Sequence, residues 1–364
     1  MRFIHTADIH LGVSPDSRMP WGKKRADEIW ESFYRLLDEV EAKRADLLLI
    51  AGDLFHRQPL KRELKEVNYR FSSLSDTNIV IIAGNHDPIT PNSNYRDFEW
   101  APNVAFFRKN HMSYIYLEKI NTIIYGMSYD TNEIRDNIYD GVRPMKRFKD
   151  GSVIPPGTAH ILLAHGGDET HIPVKMERIR RAGFDYAAFG HIHKPSLEKN
   201  AAIGYAGALE PIDRGDEGQH GYIYGEISPD HTCIEFIPFA GRSYISRDIQ
   251  LTKESTMSSI CDQISDQINA CGTNNIYKLS FTGLKPFDLD LDMNMIETLG
   301  NIIVMDDKTI PDFDYDRLYM ENRDNLIGMF IEKVRGMDIS DDTKERTLYH
   351  GMKAFINVWQ GDGR

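Results

Sequence analysis

Short apolar runs that end in polar side chains of the kind that bind metal ions constrain the fold of this 364-residue chain more than any other feature. The runs at 3–7, 47–51, 79–83, 161–164 and 186–189 have the length and apolar content of buried strands. Helical patterns at 23–44, 60–75 and 173–182 lie between them. Because strands that alternate with helices form βαβ units, this pattern predicts an α/β fold with a sheet covered on both faces.

The polar residues that follow the runs are candidate metal ligands. They are Asp8, His10, Asp53, Asn85, His165, His191 and His193. Ligands bind at the carboxyl ends of strands in open sheets, so we expect these side chains to meet in one crevice. A set of oxygen and imidazole donors without a thiolate suits manganese, iron or zinc in a catalytic site. Seven donors are too many for one ion and fit two ions that share a bridging carboxylate.

The order of these motifs resembles a known family. Asp8-x-His10, Gly52-Asp53, Gly84-Asn85-His86-Asp87, His165 and Gly190-His191-Ile192-His193 are similar to the five motifs of the calcineurin-like metallophosphoesterases. Two further features resemble the SbcD-type DNA repair exonuclease branch: His56, three residues after Asp53, and the segment 205–210, Tyr-Ala-Gly-Ala-Leu-Glu. The resemblance covers about residues 1–240.

The resemblance implies a four-layer α/β/β/α sandwich and a role for each motif residue. One ion would be held by Asp8, His10, Asp53 and His193, and the other by Asp53, Asn85, His165 and His191, with Asp53 bridging. A hydroxide shared by the ions would attack phosphorus, and His86 would assist the leaving oxygen. Asp87 would orient His86. His56 would face phosphate or position DNA, the alternative being a surface loop residue.

The motifs predict a reaction type and leave the substrate open, because phosphatases, phosphodiesterases and nucleases share this fold and metal centre. The branch implies a manganese-dependent DNA exonuclease or endonuclease that works in DNA repair as a homodimer with a coiled-coil ATPase of the SMC type. The alternatives are a small-molecule phosphodiesterase or phosphatase with a lid, and a non-enzymatic scaffold.

Basic clusters at 23–25, 143–149 and 175–181 are compatible either with a surface that binds DNA or with an ordinary solvated surface. The sequence contains no P-loop, dinucleotide-binding or Gly-x-Ser-x-Gly motif.

Changes of pattern along the chain predict three segments. Residues 1–240 form the metallophosphoesterase domain, 241–318 a small α+β capping domain, and 319–364 two amphipathic helices. The apolar faces of those helices, which extend to Ile356 and Trp359, pack either within the protein or against a partner.

The net charge of −12 argues against a protein that binds nucleic acid through its overall charge. Any phosphate group must therefore be bound by a local site. Residues 1–240 carry 29 Lys and Arg against 34 Asp and Glu, a net charge of −5, and residues 241–364 carry the remaining −7. Three cysteines, no signal-peptide pattern and no apolar run of about 18 residues lead us to expect a cytoplasmic protein with no membrane span.

Overall fold

The structure, a computed structural model, describes residues 1–229, 231–286 and 288–361, with side chains to residue 355. The predicted positions of the Ile356 and Trp359 side chains, and residues 362–364 of the last predicted segment, lie outside this range. The chain divides into two compact units. The first consists of Met1–Ile245 and Asn274–Ile276, and the second of Ser246–Thr273 and the residues from Tyr277 onward.

The secondary structure of the described residues comprises the following elements. The strands are β1 Arg2–Thr6, β2 Leu47–Ala51, β3 Asn78–Ile82, β4 Val104–Phe106, β5 Ser113–Leu117, β6 Thr122–Gly126, β7 Ala159–His165, β8 Tyr186–Gly190, β9 Ser196–Glu198, β10 Ile203–Tyr205, β11 Gly221–Ile227, β12 Thr232–Pro238, β13 Tyr244–Leu251, β14 Ile276–Pro286, β15 Ile302–Asp307 and β16 Ile310–Asp312. The helices are α1 Gly22–Ala42, α2 Lys61–Ser73, α3 Met176–Arg180, α4 Met257–Cys271, α5 Met293–Glu297, α6 Tyr315–Glu321, α7 Leu326–Arg335 and α8 Asp341–Gly361.

Two six-stranded sheets make up the first unit. Their strand orders are β12-β11-β1-β2-β3-β4 and β5-β6-β7-β8-β10-β9. Strands β1 to β4 run parallel to one another, as do β6, β7, β8 and β10. The antiparallel strands β11, β12, β5 and β9 complete the sheets. The parallel strands of each sheet therefore point their carboxyl ends to one edge of that sheet.

The two faces of the first sheet bury different partners, because side chains alternate along a strand. Leu48 and Ile50 of β2 pack in a cluster with the α1 residues Ile29 and Phe33. Their neighbour Leu49 packs in a second cluster, with Ile161 and Leu163 of β7, between the two sheets. The predicted mixed α/β fold is confirmed. The outer face of the second sheet is covered by the five-residue α3 and by irregular segments.

The second unit contains a smaller sheet and a group of helices. Strand β14 lies between β13 and β15, and β16 also pairs with β14. The sequence pattern within 241–318 predicts strands at 244–251 and 276–281 and a helix near 254–269, and these correspond to β13, β14 and α4. The structure divides the chain into two units, and the separate status of 241–318 and 319–364 stays a prediction.

The two amphipathic helices expected in the C-terminal region correspond to α7 and α8, and the short helix α6 precedes them. Asn325 caps α7 by accepting a hydrogen bond from the Ile327 backbone N–H, at 2.9 Å, and so separates α7 from α6. Ile331 and Val334 are buried, as the packing alternative predicts, whereas Leu326 and Met329 are 72% and 63% exposed. Among the described residues, no helix has the length and apolar content that crossing a membrane requires.

Candidate metal centre

All seven predicted ligands lie at the carboxyl ends of parallel strands. The first sheet contributes Asp8 and His10 after β1, Asp53 after β2 and Asn85 after β3. The second sheet contributes His165 at the end of β7, and His191 and His193 after β8. Each of these strands is flanked by others, so the donors gather where the middle strands of both sheets end.

The donors fall into two groups around Asp53. In the first group, His10 Nε2 is 3.1 Å from His193 Nε2 and 3.9 Å from Asp53 Oδ2. A carboxylate oxygen of Asp8 lies within 4.8 Å of donor nitrogens of both histidines.

In the second group, Asn85 Oδ1 is 2.9 Å from His165 Nε2 and 3.0 Å from His191 Nδ1. Asp53 Oδ2 is 3.4 Å from His165 Nε2. The same Asp53 oxygen therefore faces a histidine of each group, which is the arrangement that a bridging carboxylate requires.

Burial makes the electrostatics of the centre strong. Asp8, His10 and His165 are fully buried and Asp53 is 1% exposed. Burial raises the pKa of Asp8 to about 6 against the opposing charge of His165. Burial also acts to raise the pKa of Asp53, but His165, His10 and His86 together outweigh it and hold that pKa well below its usual range.

The pKa values of the histidines shift in different directions. Burial opposes protonation of His165, yet Asp53, Asp8 and the hydrogen bond to the Ala51 carbonyl together raise its pKa to about 9. Burial likewise opposes protonation of His193, and its hydrogen bond to Asp216 raises its pKa to about 9. Burial and the charge of His165 lower the pKa of His191 to about 4.

The backbone of the ligand loops is strained. Asp8, His10 and Asp53 have φ values of 49°, 52° and 49°, and His191 has a φ of 90°. Residues with a β-carbon adopt such angles at a cost of order 1–3 kcal/mol each, and only where the surrounding structure enforces them. Four of the seven predicted ligands share this feature, which is characteristic of a functional site.

Glycines allow the close approach of these loops. A β-carbon on Gly84 would collide with Asp53 Oδ1, and one on Gly52, whose φ is 91°, would collide with His165 Nδ1. Both glycines directly precede predicted ligands, Asn85 and Asp53. The absence of their side chains makes room for donors that come from other strands.

Three tyrosines hold the backbone at the end of β7. The hydroxyls of Tyr129 and Tyr139 donate to the His165 carbonyl oxygen at 3.1 and 3.2 Å. The Tyr205 hydroxyl donates to the carbonyl of Gly166 at 3.2 Å. These contacts fix the main chain that carries the most deeply buried histidine of the second group.

Two aspartates outside the predicted set select which ring nitrogen each histidine presents. His193 Nδ1–H donates to the Asp216 carboxylate at 3.1 Å, which leaves Nε2 facing His10. His191 Nε2–H donates to Asp168 at 2.7 Å, which leaves Nδ1 facing Asn85. Such partners orient the histidine ligands of metal sites and raise their basicity. The sequence did not identify them, because nothing in it distinguishes Asp168 and Asp216 from other loop acids.

The donor set fits divalent metal ions. Carboxylate, amide and imidazole groups converge, their free atoms face one another, and no lysine or arginine pairs with Asp8 or Asp53 within the described ranges. Oxygen and nitrogen donors without thiolate favour manganese, iron or zinc.

The three remaining site residues lie beside the first group. The His86 ring is exposed and contacts the His10 ring edge to face at a centroid distance of 4.8 Å. His86 also stacks on His56 at 5.0 Å, and its Nδ1–H donates to the His56 carbonyl oxygen at 3.3 Å. His56 Nδ1 lies 3.4 Å from His10 Nδ1.

Asp87 acts on the turn rather than on the His86 ring. Its carboxylate accepts hydrogen bonds from the Gly84 and Phe55 backbone N–H groups, at 2.8 and 3.1 Å, and from the Tyr95 hydroxyl, at 2.8 Å. Burial and the charge of Asp53 raise the pKa of Asp87 to about 7. Its role as the residue that orients His86 stays a prediction. The hydrogen bonds of Asp87 would orient His86 indirectly, by holding the main chain of residues 84–87.

Comparison with known proteins agrees with this geometry. The model of the calcineurin-like phosphoesterase family matches residues 1–195, more than half of the chain. The chain belongs to this family. The family's metallophosphoesterase fold implies divalent metal ions, and the Asp and His clusters described above lie within or next to the matched range.

Individual relatives are similar at lower identity. The chain is 25% identical over 288 residues to an uncharacterized metallophosphoesterase, YhaO, of Bacillus subtilis, covering 73% of this chain and 67% of the relative. It is 26% identical to the DNA double-strand break repair protein Mre11 of Methanopyrus kandleri, covering 62% and 54%. It is 27% identical to the Mre11 of Methanocaldococcus jannaschii, covering 69% and 66%. The chain therefore spans about half to two thirds of the length of these curated relatives.

We predict that Asp216→Asn weakens binding of divalent manganese about 10- to 100-fold, because it removes the charge that raises the basicity of His193. The asparagine keeps an oxygen for the Ile212 and Asp213 backbone N–H groups that now donate to Asp216. Isothermal titration calorimetry measures the affinity. Asp213→Asn, at an exposed carboxylate in the same loop, is the matched control, and equal weakening in both variants would contradict the prediction.

Metal binding should release protons near neutral pH. In the metal-free protein, pKa values of about 9 keep His165 and His193 protonated at pH 7.5, and both must be neutral to bind an ion. We expect manganese binding to release about two protons at pH 7.5 and to tighten as pH rises toward 9. Calorimetry in HEPES and Tris, whose ionisation enthalpies differ, counts the protons, and a heat independent of buffer would refute the expectation.

Proposed function

We propose that the protein is a phosphodiesterase that uses two divalent metal ions to cleave DNA. One ion would be held by Asp8, His10, Asp53 and His193, and the other by Asp53, Asn85, His165 and His191. The observation that carries this proposal is the position of Asp53 Oδ2, 3.9 Å from a histidine nitrogen of one group and 3.4 Å from one of the other. Manganese is the proposed metal, with iron and zinc as alternatives.

The residues of the centre would have different roles in hydrolysis. Two bound ions supply Lewis acidity at a phosphoryl oxygen and lower the pKa of water toward neutrality. The deeply buried Asp53, with its lowered pKa, keeps the negative charge that a bridging ligand needs. The Asp216 and Asp168 carboxylates hold His193 and His191 in the required tautomers.

His86 is the proposed proton donor to the leaving oxygen. Its Nδ1–H is bound by the His56 carbonyl, so Nε2 is the atom left to exchange a proton with the substrate. Its ring is exposed and lies against His10, next to the predicted ligands. We assign His56, which stacks on His86, to the positioning of a substrate phosphate.

DNA is the proposed substrate for two reasons. His56 and the segment 205–210 are the features that resemble the SbcD-type branch, and the Ala208 backbone N–H of that segment donates to the His193 carbonyl at 3.0 Å. The similar Mre11 proteins are named as DNA double-strand break repair proteins. A role in DNA repair, as an exonuclease or endonuclease, is therefore part of the proposal. A small phosphodiester or phosphomonoester is the alternative substrate.

The proposal includes a protein partner. We propose that a coiled-coil ATPase of the SMC type binds the C-terminal helices and that the first unit forms a homodimer in the cytoplasm. Met320, Leu326 and Met329, on α6 and α7, are 63% to 72% exposed, and a partner that covers these large apolar side chains would remove them from water. The three cysteines are free, in keeping with a reducing compartment.

A nuclease assay tests the proposed substrate. With manganese, the protein should nick supercoiled plasmid and shorten linear DNA, and EDTA should abolish both activities. The chromogenic diester bis-p-nitrophenyl phosphate, tested in parallel, reports on the metal centre without DNA. Rapid turnover of this diester with no DNA cleavage would reject DNA as the substrate and favour the small-molecule alternative.

His86→Ala should lower kcat about 10²- to 10⁴-fold, the range for loss of a general acid. Binding of two manganese ions per chain, measured by elemental analysis after gel filtration, should persist, because His86 is not among the predicted ligands. His231→Ala, at an exposed histidine between β11 and β12, is the control. Retained turnover in the His86 variant would remove this residue from the chemistry.

A further inference from the structure

A basic cavity of about 380 Å³ lies outside the candidate metal centre in the first unit. Its lining includes Arg96, Arg108, Lys109, His111, Tyr129 and Asp130. None of these residues belongs to the family motifs.

The cavity lies at the same edges of the two sheets as the metal centre. Residues 107–111 follow the carboxyl end of β4, and residues 128–130 follow that of β6. Strand β4 neighbours β3, which carries Asn85, and β6 neighbours β7, which carries His165. The cavity is therefore one strand away from the predicted ligands in both sheets.

Two hydrogen bonds connect the cavity wall to the centre. The Ile89 backbone N–H, two residues after Asp87, donates to the Tyr129 carbonyl oxygen at 2.7 Å. The Tyr129 hydroxyl donates to the carbonyl of the predicted ligand His165 at 3.1 Å. Tyr129 thus lines the cavity, and its hydroxyl group supports the main chain of the metal centre.

The charge of the cavity is positive in a chain whose net charge is −12. The Arg108 guanidinium donates to the carbonyl oxygens of Tyr95, Arg96 and Phe98, so no carboxylate neutralises it among these contacts. The exposed side chains of Arg96, Lys109 and His111 make no ion pair or hydrogen bond to other described residues. The single acid in the lining, Asp130, accepts a hydrogen bond from Asn110 at 2.7 Å. Three permanent cations face one carboxylate.

We propose that this cavity binds a backbone phosphate of the nucleic-acid strand whose neighbouring phosphodiester occupies the metal centre. This inference rests on the proposed function. Adjacent strands are about 4.8 Å apart. This distance is of the same order as the spacing of successive phosphates of one nucleic-acid strand, which in double-stranded DNA rise about 3.4 Å per nucleotide along the helix axis. Arginine binds phosphate through paired N–H groups and lysine binds it as a point charge, and both groups are available here.

The salt dependence of cleavage tests the proposal. The double variant Arg96→Gln, Lys109→Gln removes two cations from the cavity and none from the metal centre. For a single-stranded 12-mer with manganese, kcat/KM should fall about three- to tenfold at fixed salt. A plot of log kcat/KM against log salt concentration has a negative slope. In the double variant this slope should become less steep by about 0.7, the value for loss of one phosphate contact in single-stranded DNA. Turnover of bis-p-nitrophenyl phosphate should not change, because its single phosphate would occupy the metal centre and it has no second phosphate for the cavity.

A matched control comes from the opposite sheet edge. Lys119 and Lys199 are exposed and precede the amino ends of β6 and β10. The double variant Lys119→Gln, Lys199→Gln changes the net charge equally and should leave the slope as in the wild type.

The outcomes separate the two proposals. Equal losses in both double variants, no loss in either, or slower turnover of the small diester by the cavity variant would each overturn the phosphate site. In those cases, cleavage of the 12-mer by the wild-type protein would leave the nuclease proposal standing. A wild-type protein that hydrolyses the small diester but not the 12-mer would overturn the nuclease proposal and the phosphate site together.

Discussion

The Asp53 carboxylate is the group on which the rest of the site depends. It is almost fully buried, yet His165 and the other nearby histidines hold its pKa below the usual range, so it keeps its charge. An isolated carboxylate in such a position would cost several kcal/mol, and surrounding donors must compensate. The crowding of His10 and His165 around one oxygen, the strained loops and the glycines without side chains all serve this requirement.

Much of the centre could be predicted from the sequence because its ligands follow strands directly. A residue at the end of a parallel strand has a position that the sheet determines, so Asp8, Asp53, Asn85 and His165 could be placed together without knowledge of the loops. The family model confirms the family, and the two sheets confirm the fold class.

Features that depend on loop conformation could not be predicted in this way. Asp168 and Asp216 reach their histidines across 23 residues each, and only the folded loops bring them together. The cavity around Arg96 and Lys109 likewise combines segments that are adjacent only because β4 and β6 end at the same edge. In the C-terminal region, helical periodicity indicated the apolar faces of the helices. It did not reveal the short helix α6, nor the exposure of Leu326 and Met329.

The division of the donors between the sheets has a consequence for how the protein is made. Asp8, His10, Asp53 and Asn85 come from the first sheet, and His165, His191 and His193 from the second, so each proposed ion would take ligands from both. Such an ion acts as a cross-link that closes a loop of more than a hundred residues, as a disulfide does in secreted proteins. A growing chain lacks the fourth ligand of one proposed ion until His193 has been added, and it lacks two of the four ligands of the other until His165 and His191 have been added. The proposed metal centre would therefore be completed late in synthesis, after the first sheet has all the residues of its parallel strands.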